Sequence, residues 1–243
     1  MKSHLGQLFI AVGIILTSII LGNAFNYRFK SQETISVTGL ASTDFTSDLI
    51  VWNGNYSRKN MELRSAYTQL KADENNLRNY LVGKGLDPKE IVFSSIQIDK
   101  EFSYKYDENG RQTGQDFTGY NLTQRVTVES KNIEKVEEIS RQVTELIEQG
   151  IEFYSSEPAY YYTKLSDLKL DLLAKASADA RKRAEIIADN SKSSVAKVKK
   201  ASMGVFQITG QNSNEDFSYG GAFNTASREK TASITIRMEY QVN

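Results

Sequence analysis

Leu5 to Phe25 is a run of 21 residues without an Asp, Glu, Lys or Arg. Its heart is the apolar stretch 8–16 and the Ile19-Ile20-Leu21 triplet. At about 1.5 Å of rise per residue, such a helix spans about 32 Å, enough for the hydrocarbon core of a bilayer. A buried core helix rarely needs so long an unbroken apolar run. The exit, Leu21-Gly22-Asn23-Ala24-Phe25, matches an Ala-x-Ala cleavage site poorly. The run therefore reads as an uncleaved transmembrane anchor rather than a removable signal peptide. Lys2 and the α-amino group precede it, and Arg28 and Lys30 follow, so the charge rule for orientation is nearly balanced. The expectation is a cytoplasmic N-terminus, with the large remainder carried to the extracytoplasmic side.

That remainder reads as globular, because 40% of the chain is hydrophobic and 25% charged. Residues 31–243 hold 30 acidic and 27 basic side chains, a net charge of −3. A nucleic-acid binder normally carries a basic excess, so none is expected as partner. The chain has no cysteine, which removes disulfides, thiol catalysis and cysteine lipidation. Its one histidine is His4. A Ser-His-Asp triad, a Cys-His pair and a histidine-bound zinc are thereby excluded beyond the leader. No cofactor and no metal is expected.

Thr34–Thr38 alternates as a strand with Ile35 and Val37 on one face, and 48–52 is an apolar strand covered on both sides. Gly39 and the Ser/Thr/Asp stretch 42–48 are expected to separate the two. Asn60 is the expected N-cap of a helix over 61–82, with Leu63, Ala66, Tyr67, Leu70, Leu77, Tyr80 and Leu81 as its apolar stripe. Gly83, Gly85 and Pro88 stop it. A strand over 91–106, an Asn109-Gly110 turn and a strand over 119–130 make a hairpin. A second helix covers 133–149, striped by Ile133, Val136, Ile139, Val143, Leu146 and Ile147. A strand at 151–162 precedes the longest helix, 165–190. There Leu165, Leu168, Leu172, Ala176, Ala180, Ala184 and Ile187 share a face small enough for close packing. Two strands, 194–208 and 233–242, close the chain. The second has Ile234, Ile236, Met238, Tyr240 and Val242 facing inward. Between them, 210–228 is a Gly/Asn/Ser-rich loop, as apt for a functional segment as for plain disorder.

Four segments carry a family resemblance: Ile35-Ser36-Val37-Thr38-Gly39, the helix end, turn and strand of 77–98, Gly119-Tyr120 with Leu122, Val126 and Val128, and the run 178–185. Their order and spacing resemble the SIMPL-domain family, formerly a domain of unknown function, which includes oligomeric periplasmic antigens of bacteria. The resemblance covers most of 33–242. It departs at 40–52, where Thr46-Ser47-Asp48 stands in place of a common Lys-Pro-Asp element, and so marks a divergent branch. It implies an α+β fold of antiparallel or mixed sheets packed against three long helices. It also implies envelope location, homo-oligomers, a part in envelope stress defence, and no established catalytic residues. Residues 1–30 are then anchor and linker, and 31–243 a SIMPL-like domain, read as two sub-domains near 31–130 and 131–243.

Candidate contact residues are the aromatics Phe102, Tyr104 and Tyr106 beside the Asn-Gly turn, and Phe217, Tyr219 and Phe223 in the loop 210–228. They can stack on sugar, peptidoglycan or a partner chain, although aromatics in exposed hairpins also serve cross-strand packing. Tyr160-Tyr161-Tyr162 forms a second aromatic group with the same two readings. Arg181-Lys182-Arg183 reads as a solvated helix face rather than an anion site, because Asp179, Glu185 and Asp189 are interleaved. Asp99, Glu101, Asp107, Glu108 and Asp116 are the carboxylates a hydrolase would draw on, at a density ordinary for a polar hairpin. Trp52, the only tryptophan, reads as core. The leading expectation is a non-catalytic, membrane-anchored envelope protein that acts by homo-oligomerisation or binding. The alternatives are a glycan-, peptidoglycan- or lipid-binding module and, last, a carboxylate hydrolase.

Overall fold

The computed structural model describes residues 11–23, 33–216 and 218–243. Residues 11–23 form helix α1. Among the described residues no helix is both long and apolar enough to cross a membrane. The expected span 5–25 extends past α1 at both ends, outside the described residues.

The rest is an α+β arrangement of two antiparallel sheets, each covered on one face by helices. The first sheet orders β1 (Thr34–Thr46), β10 (Glu229–Val242) and β8 (Val195–Met203), with β9 (Gln207–Gly210) also on β10. Helix α4 (Leu165–Asn190) lies on it. The second sheet centres on β5 (Gln112–Ser130). It pairs β2 (Leu49–Asn60) on one side and β3 (Ile91–Phe93) and β4 (Gln97–Tyr106) on the other. The short strands β6 (Phe153–Ser155) and β7 (Ala159–Tyr161) add to β2. Helices α2 (Leu63–Gly83) and α3 (Ile133–Gln142) cover this sheet, and α3 tightens into a 3-10 helix over Val143–Gln149.

Each sheet has its own apolar core. Ile50, Trp52, Leu70, Leu77, Leu122, Val126, Val136 and Leu146 are buried in one. Val37, Ala41, Leu172, Ile208, Ile234 and Tyr240 are buried in the other. Trp52 is fully buried, as expected, and its Nε1 donates to Ser155 Oγ at 3.0 Å. The bounds of α4 match the sequence expectation.

Several expectations are corrected. Gly39 does not end β1: all 13 residues of β1 stand in unbroken register with β10. Its role is packing, since a Cβ there would lie 2.6 Å from the backbone nitrogen of Ala180. Ala176, Ala180, Ala184 and Ala188, spaced four apart and fully buried, let α4 approach that closely. Asn60 does not cap α2. The cap position is Glu62, whose side chain takes no helix amide, and Asn60 Oδ1 accepts from the Glu62 amide instead. Leu63 and Tyr67, at the first turns of α2, are exposed, as are Ile147 and Ile187. The expected strands 91–106, 151–162 and 194–208 are each broken in two, and β5 and β10 each begin earlier than their patterns suggested. The second half of the 133–149 helix is 3-10, ending at left-handed Gly150.

Replacing Gly39 by Val is expected to cost about 1–3 kcal/mol through overpacking against α4. Thermal denaturation checks this as a fall of several degrees in Tm; an unchanged Tm would contradict the close approach.

Candidate binding surface

The Asn-Gly turn forms as the sequence suggests. Gly110 takes the left-handed conformation, and Asp107 Oδ1 accepts from the amides of Asn109 and Arg111. Beyond Tyr120, the last β5 residue paired with β2, the strands β4 and β5 continue as a two-stranded arm. A β-bulge marks its base, where Glu101 faces Gly119 but Phe102 faces Phe117. Gly119 has a φ of 135°, a conformation other residues rarely adopt. An aromatic ladder climbs the arm. Tyr120 packs on the core, Phe117 lies 5.1 Å from it, and Phe102 lies 5.7 Å from Phe117. Tyr104 and Tyr106 continue past the ladder and are 53% and 62% exposed. Phe102, at 40%, is partly covered by its ladder partner, so part of its area serves cross-strand packing. Among the candidate carboxylates, Glu101 pairs with Lys59 and Asp116 with Lys105, both at the surface of the arm.

The second group lies on the other sheet. The loop 210–228 is tied down over most of its described length. Gln207 Oε1 accepts from the amides of Ser218 and Ala222, Ile208 N donates to the Ala222 carbonyl while the Ile208 carbonyl accepts from Asn224 N, and Gly210 N donates to Glu215. Tyr219 is fully exposed at the rim of a cavity of about 720 Å³ on the face of the sheet away from α4. Leu40, Val205, Gln207 and Thr235 help line that cavity. Phe223 is half-exposed and bridges β9 at Ile208. Phe217 lies outside the described residues. The arm aromatics and the loop aromatics thus sit on different sheets and do not form one site.

Lys230 was not read from the sequence. It is 2% exposed on the helix-facing side of β10, and its Nζ donates to the Asn224 carbonyl at 2.6 Å and to Asn224 Oδ1 at 3.4 Å. Asn224 in turn donates to Glu215. Burial pushes the Lys230 amine down to about 8, with the charge of Glu215 opposing it. The lysine therefore latches the loop from below. Nearby, Tyr160 donates to Glu137 at 2.9 Å, and burial first and that carboxylate second push its hydroxyl up to about 12.

A second network unseen in the sequence pins α2 to its sheet. Arg58 grips Asp73 at 2.5 and 2.8 Å and also donates to the Gly150 carbonyl. Tyr56 donates to Gln124, which donates to Glu74 and to the Ser94 carbonyl. Burial raises Glu74, but bonds from Lys71 and Gln124 outweigh it and hold its carboxyl below the ordinary value. The network closes on itself around the sheet and α2, which suits a structural clamp. Arg181 pairs with Glu185 and Arg183 with Asp179, so the basic run is largely neutralised. Among the described residues no cluster of three acidic or imidazole groups is placed to hold a metal.

A model of the SIMPL family, described as a protein of unknown function (DUF541), matches residues 35–243. The chain belongs to the SIMPL family. No curated protein matches it. The matched span includes both sheets and all the candidate residues.

The Lys230 latch predicts a specific pH response. Below pH 8 the ammonium is charged in both folded and unfolded chains, and its burial costs stability. Between about 8 and the ordinary value of 10.5 the folded chain has already lost the proton that the unfolded chain keeps, so stability rises with pH. Chemical denaturation at pH 8 and pH 10 should show a gain of about 1–2 kcal/mol in the native chain relative to Lys230→Met. Parallel pH profiles for the two would refute the buried charge.

Proposed function

We propose that this SIMPL domain is held at the cell envelope by the apolar leader 5–25 and works there by contact, as a homo-oligomer or binding module, rather than by catalysis. The observation that carries the reading is the β4–β5 arm. A two-stranded ribbon alone is marginally stable in water. This one projects Tyr104 and Tyr106 uncovered, with Phe102 half-covered behind them. Met61, Leu63 and Tyr67 add exposed apolar area on the segment that follows β2, whose last residue pairs with Tyr120 at the arm's base. Such a surface gains by burial against a partner. The leader supplies the location, since a 21-residue uncharged run is long enough to span a bilayer.

A second reading is favoured by the cavity under Tyr219. An exposed aromatic ring beside apolar and hydroxyl-bearing side chains suits a glycan, a peptidoglycan fragment or a lipid tail.

Light scattering on the full chain in detergent is expected to give a mass above one copy. The double variant Tyr104→Ala with Tyr106→Ala should lower the mean mass at equal concentration without shifting Tm by more than a few degrees. A strictly monomeric full chain at all concentrations would overturn the assembly reading. For the cavity, peptidoglycan fragments should raise the Tm of the native chain and not that of Tyr219→Ala; equal shifts in both would remove the second reading.

A further inference from the structure

We propose that the free edge of β1 is where two copies of this chain join, strand against strand, turning two four-stranded sheets into one of eight. The inference rests on the assembly reading and adds to the arm a second contact surface on the other sheet. β1 pairs β10 on one side, and on the other no described strand accompanies it. The parity of its backbone is fixed at two points. Val242 N donates to the Glu33 carbonyl, so the odd-numbered residues face β10. Leu40 N donates to Asp179 Oδ2 at 2.9 Å, so the even-numbered amides point to the free edge. Asp179 serves Leu40; the amides of Ser36, Thr38, Ser42 and Asp44 present a row that an incoming strand can pair.

The two edges of this sheet are treated differently. The β8 edge carries Lys197, Lys199 and Lys200 within nine residues, and its register with β10 is broken twice. Lysines and irregular register are the ordinary means by which proteins keep an edge from pairing. β1 has no Lys, Arg or Pro and no break in register. Its one acid, Asp44, is already engaged by Thr231 and Gln211. The longer edge is thus the one without lysine, proline or a break in register, covered only by Asp179 at Leu40.

Each flank of the edge offers some apolar area among polar side chains. On the helix side, Ile186 and Ile187 are half-exposed and border a groove of about 480 Å³ that reaches Ser36 and Thr38. On the opposite side Leu40 is half-exposed. Main-chain bonds with apolar contact on each face are what strand addition requires. A second copy fits best because a two-fold axis through β1 sets this surface against itself. The strand is nearly uncharged, and Arg183 is already paired with Asp179, so self-pairing meets little repulsion. The nine residues 24–32 between α1 and Glu33 reach about 30 Å at most. Two copies tethered to one bilayer within that reach are held at high effective concentration.

The full chain contains no cysteine, so each single cysteine reports only on itself. Cysteines placed singly from 36 to 44 in the detergent-solubilised full chain should form intermolecular disulfides fastest at one position and more slowly on either side. Thr38→Pro removes an edge-facing amide and leaves the β10 ladder intact. It should cut the dimer fraction at least tenfold with little change in Tm, while Thr38→Val keeps the dimer. A native chain that oligomerises, with Thr38→Pro unaffected or with β1 cysteines no faster than one at exposed Ser213, overturns the β1 surface alone. Disulfides from β1 to some other segment of the partner do the same. A monomeric native chain overturns both this surface and the assembly reading. Should Thr38→Pro fail to fold, the cysteine series decides.

Discussion

The closeness of α4 to its sheet is the constraint on which the rest of this domain depends. Four alanines spaced one turn apart form a smooth ridge, and Gly39 opens the strand beneath it. Neither feature works without the other, because a Cβ at 39 meets the helix backbone and a larger side chain on the ridge would lift the helix away. With α4 seated, one face of the sheet is covered and the 13-residue ladder between β1 and β10 runs in unbroken register. The opposite face, the cavity rim at Tyr219 and the outer edge of β1 are what remain available for contact.

The second sheet solves the same problem with larger side chains and a polar clamp. Trp52, Tyr56 and Leu70, Leu77 and Leu81 of α2 fill its core. Arg58–Asp73 and Tyr56–Gln124–Glu74 fix the rotation of α2 on the strands. A clamp of this kind gives position more than net stability, because charges buried against each other lose much of their gain to desolvation. The arm then extends from a sheet already locked in register, which is why a ribbon with so little cover can keep one shape.

Local signals carried much of the architecture. The alanine spacing of α4, the alternation of β10 and the Asn-Gly turn are all short-range patterns, and each appears where its period places it. What was illegible depends on partners distant in sequence. Gly39 reads as a breaker until Ala180 is seen against it, 141 positions away. Asp73, Glu74 and Gln124 carry no local signal of burial, since nothing nearby in sequence announces that Arg58, Tyr56 and Ser94 will close around them. Lys230 falls on the inward side of the β10 alternation, a mismatch that signals a latch once the strand is extended back to Glu229. For the candidate surface, the exposure of Tyr104, Tyr106 and Tyr219 was foreseeable from their hairpin and loop contexts. Their distribution over two sheets was not.

Amide hydrogen exchange resolved along β1, on the full chain in detergent at high and low concentration, tests the central claim most directly. If copies pair at this edge, Ser36, Thr38 and Ser42 exchange nearly as slowly as Val37 and Ala41 at high concentration and become fast on dilution. Fast exchange of those even-numbered amides at every concentration, beside protected odd-numbered ones, would contradict it.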